Sequence, residues 1–193
     1  VNARHVKNVP GRKTDVGDAH WLAMLARAGL LRGSFVPPAK LRELRLIARQ
    51  RQKLVGQLAS EKNRLHKVLT DSGVRLGVVV SDLHGQSARA MVKAIIAGEP
   101  PSEVLRHASR RLKASREEIF EALQGDLSAS HRFVLDELMH HIEEIEARIG
   151  RFDARLLAEL ESERNSLALL QTIPGVDLIG AAMLLVEIGT DMD

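Results

Sequence analysis

Residues 128–163, SASHRFVLDELMHHIEEIEARIGRFDARLLAELESE, decide the fold. Within them Leu135, Leu138, Ile142, Ile145, Ile149, Phe152, Leu156 and Leu160 recur at steps of three and four, with one late step of four. A helix returns side chains to one face at those spacings, so the stretch predicts a long amphipathic helix with a coiled-coil seam. Its outer positions carry Glu137, Glu143, Glu144, Glu146, Glu159 and Glu161 against Arg148, Arg151 and Arg155. An acidic helix of this length needs a partner for its apolar stripe.

Residues from about Ala39 to Leu69 offer one. Leu44, Ile47, Leu54, Leu58, Leu65 and Val68 follow threes and fours or their multiples, although Arg51 and Glu61 interrupt the stripe. The flanks are basic: Lys40, Arg42, Arg45, Arg49, Arg51, Lys53, Lys62, Arg64 and Lys67 face only Glu43 and Glu61. Such a run is read either as a helix face matched to an acidic neighbour or as a surface for a nucleic-acid backbone. Opposite charge favours pairing the two long helices with each other, antiparallel because shorter helices reverse the chain between them. A second copy of the chain is the other available partner.

The intervening segment carries its own punctuation. Ser87 is a candidate cap for a helix through Ala97, stopped by Gly98-Glu99-Pro100-Pro101, and Ser102 starts another. Ser115-x-x-Glu118 reads as a capping box for a third that ends at Gly125. Alternation of Val74, Leu76, Val78 and Val80 permits a short strand, while Gly73, Gly77 and Gly85 equally permit a packed loop. These short elements suit a cap at the tip of a helical hairpin.

Upstream, residues 11–29 read GRKTDVGDAHWLAMLARAG. Thr14 or Asp15 is a suitable N-cap and Gly29 a stop, giving a helix from about Asp15 to Ala28. Asp15, Asp18, Leu22 and Leu25 share one stripe, which turns both carboxylates inward or to a rim. Acids in a first turn complement the helix dipole. The same pair also suits Mg²⁺, which takes hard oxygen ligands, with Arg12 and Lys13 placed to hold a phosphate beside it. Gly33 to Pro38, with two prolines, then marks a linker.

The order of several short motifs is the specific signal. Asn2, Val6-Lys7, Gly11-Arg12-Lys13-Thr14-Asp15-x-x-Asp18-Ala19, Leu30-Leu31-Arg32 and Phe35-Val36-Pro37-Pro38 are followed by Arg42-Glu43-Leu44-Arg45 and Asn63-Arg64-Leu65-x-Lys67. Ser81-Asp82-x-x-Gly85-x-Ser87, Thr172-Ile173-Pro174-Gly175-Val176 and Glu187-Ile188-Gly189 come after them. Taken in order, they resemble the DEDD transposases of bacterial insertion sequences, recombinases guided by a bridge RNA. The resemblance implies that Asp15 and Asp18 are the last two of four catalytic acids binding Mg²⁺ in a RuvC-like site. It implies that the other two acids precede Val1 and that a serine nucleophile follows Asp193, so the chain reads as an internal fragment, inactive alone. The expected fold is mainly α: residues 1–36 end a RuvC-like α/β domain, 37–163 form a helical coiled-coil domain, and 164–193 open a helical transposase domain. DNA, the guide RNA and further copies of the chain are the implied partners.

Composition is consistent with that reading. The chain of 193 residues has 45% hydrophobic and 27% charged residues, enough for a real core. Residues 1–67 have a charge balance of +11 and residues 68–193 one of −8, so the basic third is the expected contact for a polyanion. Aromatic residues make up only 3%, with no Tyr, which excludes base stacking as the main mode of nucleic-acid contact. The absence of Cys excludes thiolate metal sites and disulfides and suits a reducing cytoplasm; the resemblance implies a bacterial one, with the protein at the nucleoid. The longest apolar run, Leu178 to Val186, is far shorter than the roughly 18 residues of a membrane span. His140-His141 diverge around a helix and suit a surface or seam role, not chelation.

The tail from Leu167 has the form helix, Thr172-Ile173-Pro174-Gly175-Val176, helix, as in a helix-hairpin-helix. Asp177 stands where that pattern usually has a second glycine, and an acid there repels phosphate. The plainer expectation is a helical turn that packs Leu178, Ile179, Ala182 and Leu185 into a core. Two other functional classes stay open: a non-catalytic helical nucleic-acid-binding or oligomerisation protein, and a complete junction nuclease that borrows Glu43 or Asp82 as a further carboxylate.

Overall fold

Helix is the regular structure throughout the described residues, 15–31 and 36–189, of the computed structural model. The chain divides into two units, Val1–Arg42 and Glu43–Asp193. In the first, α1 spans Asp15–Arg27 and buries Leu25. It stops where expected: Gly29 adopts φ +68°, and Leu30 N–H donates to the Leu25 carbonyl at 3.0 Å, satisfying an orphan acceptor of the last turn. Residues Arg12, Lys13 and Thr14, and the first half of the Gly33–Pro38 linker, lie outside the described residues.

Helix α2, Ala39–Asp71, starts at the unit boundary and runs through the second unit. Short helices follow: α3 (Leu76–Val79), α4 (Gln86–Ala97), α5 (Pro101–Val104) with a 3-10 turn at Leu105–His107, and α6 (Arg116–Ala122). The second long helix, α7, spans Ala129–Glu159, and α8 (Arg164–Leu170) and α9 (Leu178–Ile188) close the described chain. Arg51 of α2 reaches Asp153 of α7 and Lys62 reaches Glu146, so the partner of each long helix comes from the same chain and runs antiparallel.

Two apolar centres sit at opposite ends of this pair. At the tip, Leu65 and Leu69 of α2 and Leu135, Met139 and Ile142 of α7 are buried together with Met91, Val92 and Ile95 of α4 and Ile119 of α6. At the other end Leu44, Ala48 and Leu54 of α2, Leu156 of α7 and Ala181, Ala182, Leu185 and Val186 of α9 are buried. The predicted stripes are therefore the buried faces, and truncating a fully buried leucine such as Leu65 or Leu135 to Ala costs about 2–5 kcal/mol.

The tip is tied by backbone. Arg75 N–H donates to the Ala122 carbonyl at 2.8 Å, and Asp126 N–H donates to the Ser72 carbonyl at 2.9 Å. Gly125 permits this approach, because a Cβ there would lie 2.7 Å from the Ser72 carbonyl oxygen and 2.8 Å from the Val74 nitrogen. The segment that alternates Val74, Leu76, Val78 and Val80 forms the single helical turn α3, not a strand; Val74, Leu76 and Val80 are buried and Val78 is exposed. Tertiary burial overrides a weak period-two signal.

Capping corrects one expectation and supports another. The N-cap of α4 is Gly85, while Ser87 lies inside the first turn and bonds elsewhere. Ser115 and Glu118 form the expected capping box on α6, and Ser128 caps α7 in the same manner with His131 in place of the acid. In the tail, Ala182 and Leu185 are buried as expected, but Leu178 is 41% exposed.

Candidate functional site

The two candidate metal ligands head α1. Asp15 is its first residue and Asp18 stands one turn later with an exposed side chain. Among the described residues no group of three or more His, Asp or Glu is placed to hold a metal ion. Glu43 and Asp82, the alternative carboxylates, join no such group. His140 and His141 are exposed on α7; the His140 ring lies 3.0 Å from the Asp136 carbonyl oxygen.

The basic run on α2 separates into two sets. Arg45 is 18% exposed and donates from Nε to the Val186 carbonyl at 3.0 Å and from Nη2 to the Glu187 carbonyl at 2.6 Å. A cation on the last carbonyls of α9 completes acceptors that have no partner within the helix and opposes the negative end of its dipole. Arg51, an interruption of the stripe by its spacing, grips both oxygens of Asp153, with Nη2 to Oδ2 at 3.3 Å. Glu61, the other interruption, is buried and accepts from Arg64 at 2.8 Å. Arg49 approaches Glu187 at 3.5 Å and is largely exposed. Lys40, Arg42, Lys53 and Lys67 are exposed and make no ion pair among the described residues. These four, with Arg49 and Arg64, are the cations of the run that face solvent.

A cleft of about 370 Å³ lies between α2 and the stretch from α3 to the loop before α4, with Lys62, Asn63, His66, Asp82 and His84 among its lining residues. Glu146 of α7 is its electrostatic anchor. Arg89, which the sequence reading does not single out, donates two bonds to it at 2.8 and 2.9 Å, and Lys62 lies 3.3 Å away. The hydrogen bond from Arg89 holds the Glu146 carboxyl below its ordinary range against the opposing effect of burial, and Lys62 adds to the depression. Burial and then Lys62 push the His84 imidazole down, so it stays neutral at physiological pH.

At the tail turn Gly175 takes φ +86° and Asp177 caps α9, accepting from Gly180 N–H at 2.6 Å. The carboxylate of the chain itself occupies the position an incoming phosphate would take at this helix start.

Residues 1–73 match the family model of the IS110 DEDD transposases, described as transposase. The match spans α1, with Asp15 and Asp18, and the whole of α2 with its basic run. No curated protein and no solved structure matches the chain. The transposase match therefore concerns the basic third and both candidate ligands, whereas Arg89, Glu146 and the tail lie outside it. Among the described residues no helix is long and apolar enough to cross a membrane.

Proposed function

We propose that this chain is part of a DNA transposase that cuts and rejoins strands under the guidance of an RNA. The observation that carries the reading is the match over residues 1–73, because it includes Asp15 and Asp18 at the head of α1. In this reading the pair holds Mg²⁺, which when bound supplies Lewis-acid stabilisation of charge on phosphate oxygens. Arg12 and Lys13 attract the phosphate that the carboxylates alone would repel. The remaining acids and the serine nucleophile belong to segments before Val1 and after Asp193, so residues 1–36, 37–163 and 164–193 act as parts of three domains. The exposed cations Lys40, Arg42, Arg49, Lys53, Arg64 and Lys67 meet nucleic-acid backbone, guide RNA included. Copies of the chain assemble through the coiled-coil region, where Phe133 and Val134 of α7 remain exposed outside the α2–α7 pairing.

Reading the DNA in frame on both sides of the codons for Val1 and Asp193 tests this directly. An Asp and a Glu upstream and a serine-bearing segment downstream are the expected result; stop codons on both sides would remove the catalytic reading. In the protein so defined, Asp15→Asn or Asp18→Asn abolishes strand cutting while leaving DNA affinity within a few-fold. Cutting that survives both substitutions would mean the metal ligands lie elsewhere.

A further inference from the structure

The strongest unassigned charge in the molecule is the loop that joins α5 to α6. Residues 105–116 read LRHASRRLKASR: five Lys or Arg, one His and no acid. They lie in the part of the chain whose average charge is negative. Their backbone is held rather than loose. Ser87 Oγ donates to the His107 carbonyl at 2.6 Å and accepts from Ser109 N–H at 2.8 Å, so one hydroxyl of α4 staples two points of the loop. Leu105, Ala108, Leu112 and Ala114 pack against the tip core. With those side chains committed inward, Arg110, Arg111, Lys113 and Arg116 are exposed, and among the described residues none of them makes an ion pair. Of the nearby acids, Glu103 pairs with Arg106 at 2.6 Å, Glu118 is engaged by the capping box and Glu99 faces His107 at 3.8 Å, while Glu117, exposed beside Arg116, offsets one of the five cations.

We propose that this stapled loop is a contact for the phosphate backbone of double-stranded DNA. The proposal rests on the transposase reading above for the identity of the polyanion and adds a second, separate point of attachment to it. Cations in excess of their local acids recruit phosphate through counterion release, and a pinned backbone lowers the ordering cost of binding. The loop contains no Phe, Tyr, Trp, Asn or Gln. Its one flat ring, His107, is turned to Glu99, so the loop offers no stacking platform or amide for unstacked single-stranded bases and suits a duplex read only as a charged rod.

The test is fluorescence anisotropy of the full chain with a fluorescein-labelled blunt DNA duplex, titrated at several salt concentrations. The triple variant Arg110→Gln, Arg111→Gln, Lys113→Gln binds about 10- to 100-fold more weakly near physiological salt, and its log-log salt slope is shallower by about two to three. The charge-keeping variant Arg110→Lys, Arg111→Lys binds as the wild type does, and both variants melt at the wild-type temperature. Should the triple variant melt early, Lys113→Glu alone still weakens binding if the loop touches phosphate. Wild-type affinity and slope in the triple variant and in Lys113→Glu would overturn the loop contact while leaving the transposase reading intact. A wild type that binds no duplex at all would overturn both. Loss confined to an RNA duplex of the same sequence would reassign the loop to RNA and overturn the DNA contact.

Discussion

Helix α2 carries nine Lys and Arg between Lys40 and Lys67, and the loop from Leu105 to Arg116 carries five in a much shorter span. On α2 five of the nine reach a carboxylate, three of them from largely buried positions that join α2 to α7 or α9. In the loop Arg106 alone does so among the described residues. The difference arises from what faces each segment. Helix α2 lies along the acidic α7, whose Glu146 and Asp153 draw its cations inward. The loop is turned out from a core to which it contributes only Leu and Ala. A count of charges therefore overstates the binding surface of the helix and understates that of the loop.

The sharpest way to break this contrast is Arg51→Ala. It strands the Asp153 carboxylate, which is only 23% exposed, and lowers unfolding free energy in urea by about 2–3 kcal/mol. The salt slope of nucleic-acid binding stays at its wild-type value; a changed slope would mean Arg51 meets phosphate after all. Arg45→Ala removes two charged bonds from the end of α9 and costs about 1–2 kcal/mol, read in the same denaturation experiment.

Glu146→Gln leaves Lys62 and Arg89 without their shared carboxylate and lowers stability at neutral pH by about 1–2 kcal/mol. Its folded carboxyl titrates below the unfolded one, so the stabilisation is complete above about pH 5 and fades as pH falls through the folded value. Wild type and variant converge in acid. His84 acts in the same direction at higher pH: its folded imidazole is harder to protonate, so stability falls as pH drops below about 6.5. His84→Gln flattens that portion of the curve, and an unchanged curve would separate His84 from acid sensitivity. The smallest expected effect belongs to Lys53→Gln with Lys67→Gln. Both side chains are exposed, stability stays within about 0.5 kcal/mol, and affinity for nucleic acid falls about tenfold or less.

The long helices are legible in the sequence because each buries one stripe, and leucines at threes and fours line up on one side of a helix but scatter over both sides of a strand. Arg51 is legible as a departure but not as a partner, since Asp153 lies far along the chain, whereas Glu61 has its partner Arg64 three residues on, a helical spacing visible in the sequence. Val74 to Val80 mislead because four β-branched or large residues at alternate positions also fit one helical turn under a tight backbone tie. Ser87 is recognisable as a polar residue at a helix start, yet its hydroxyl serves a loop twenty residues on. The cationic loop is hidden when the charge of residues 68–193 is averaged over a long acidic helix. Asp15 and Asp18 stand out through motif order, which periodicity alone does not provide.

The backbone tie between residues 72–75 and 122–126 has a consequence for how this part of the molecule can vary. It closes the chain between them into a loop whose two ends are fixed to each other, as a drawstring fixes the mouth of a bag. Residues 76–121 hang from that mouth. An insertion at the exposed Glu99–Pro100 turn among them lengthens the contents without shifting the mouth, whereas a deletion within α4 takes Met91, Val92 or Ile95 out of the tip core and Arg89 away from Glu146. A single methyl group added at Gly125, by contrast, wedges the mouth open and slides the two long helices against each other.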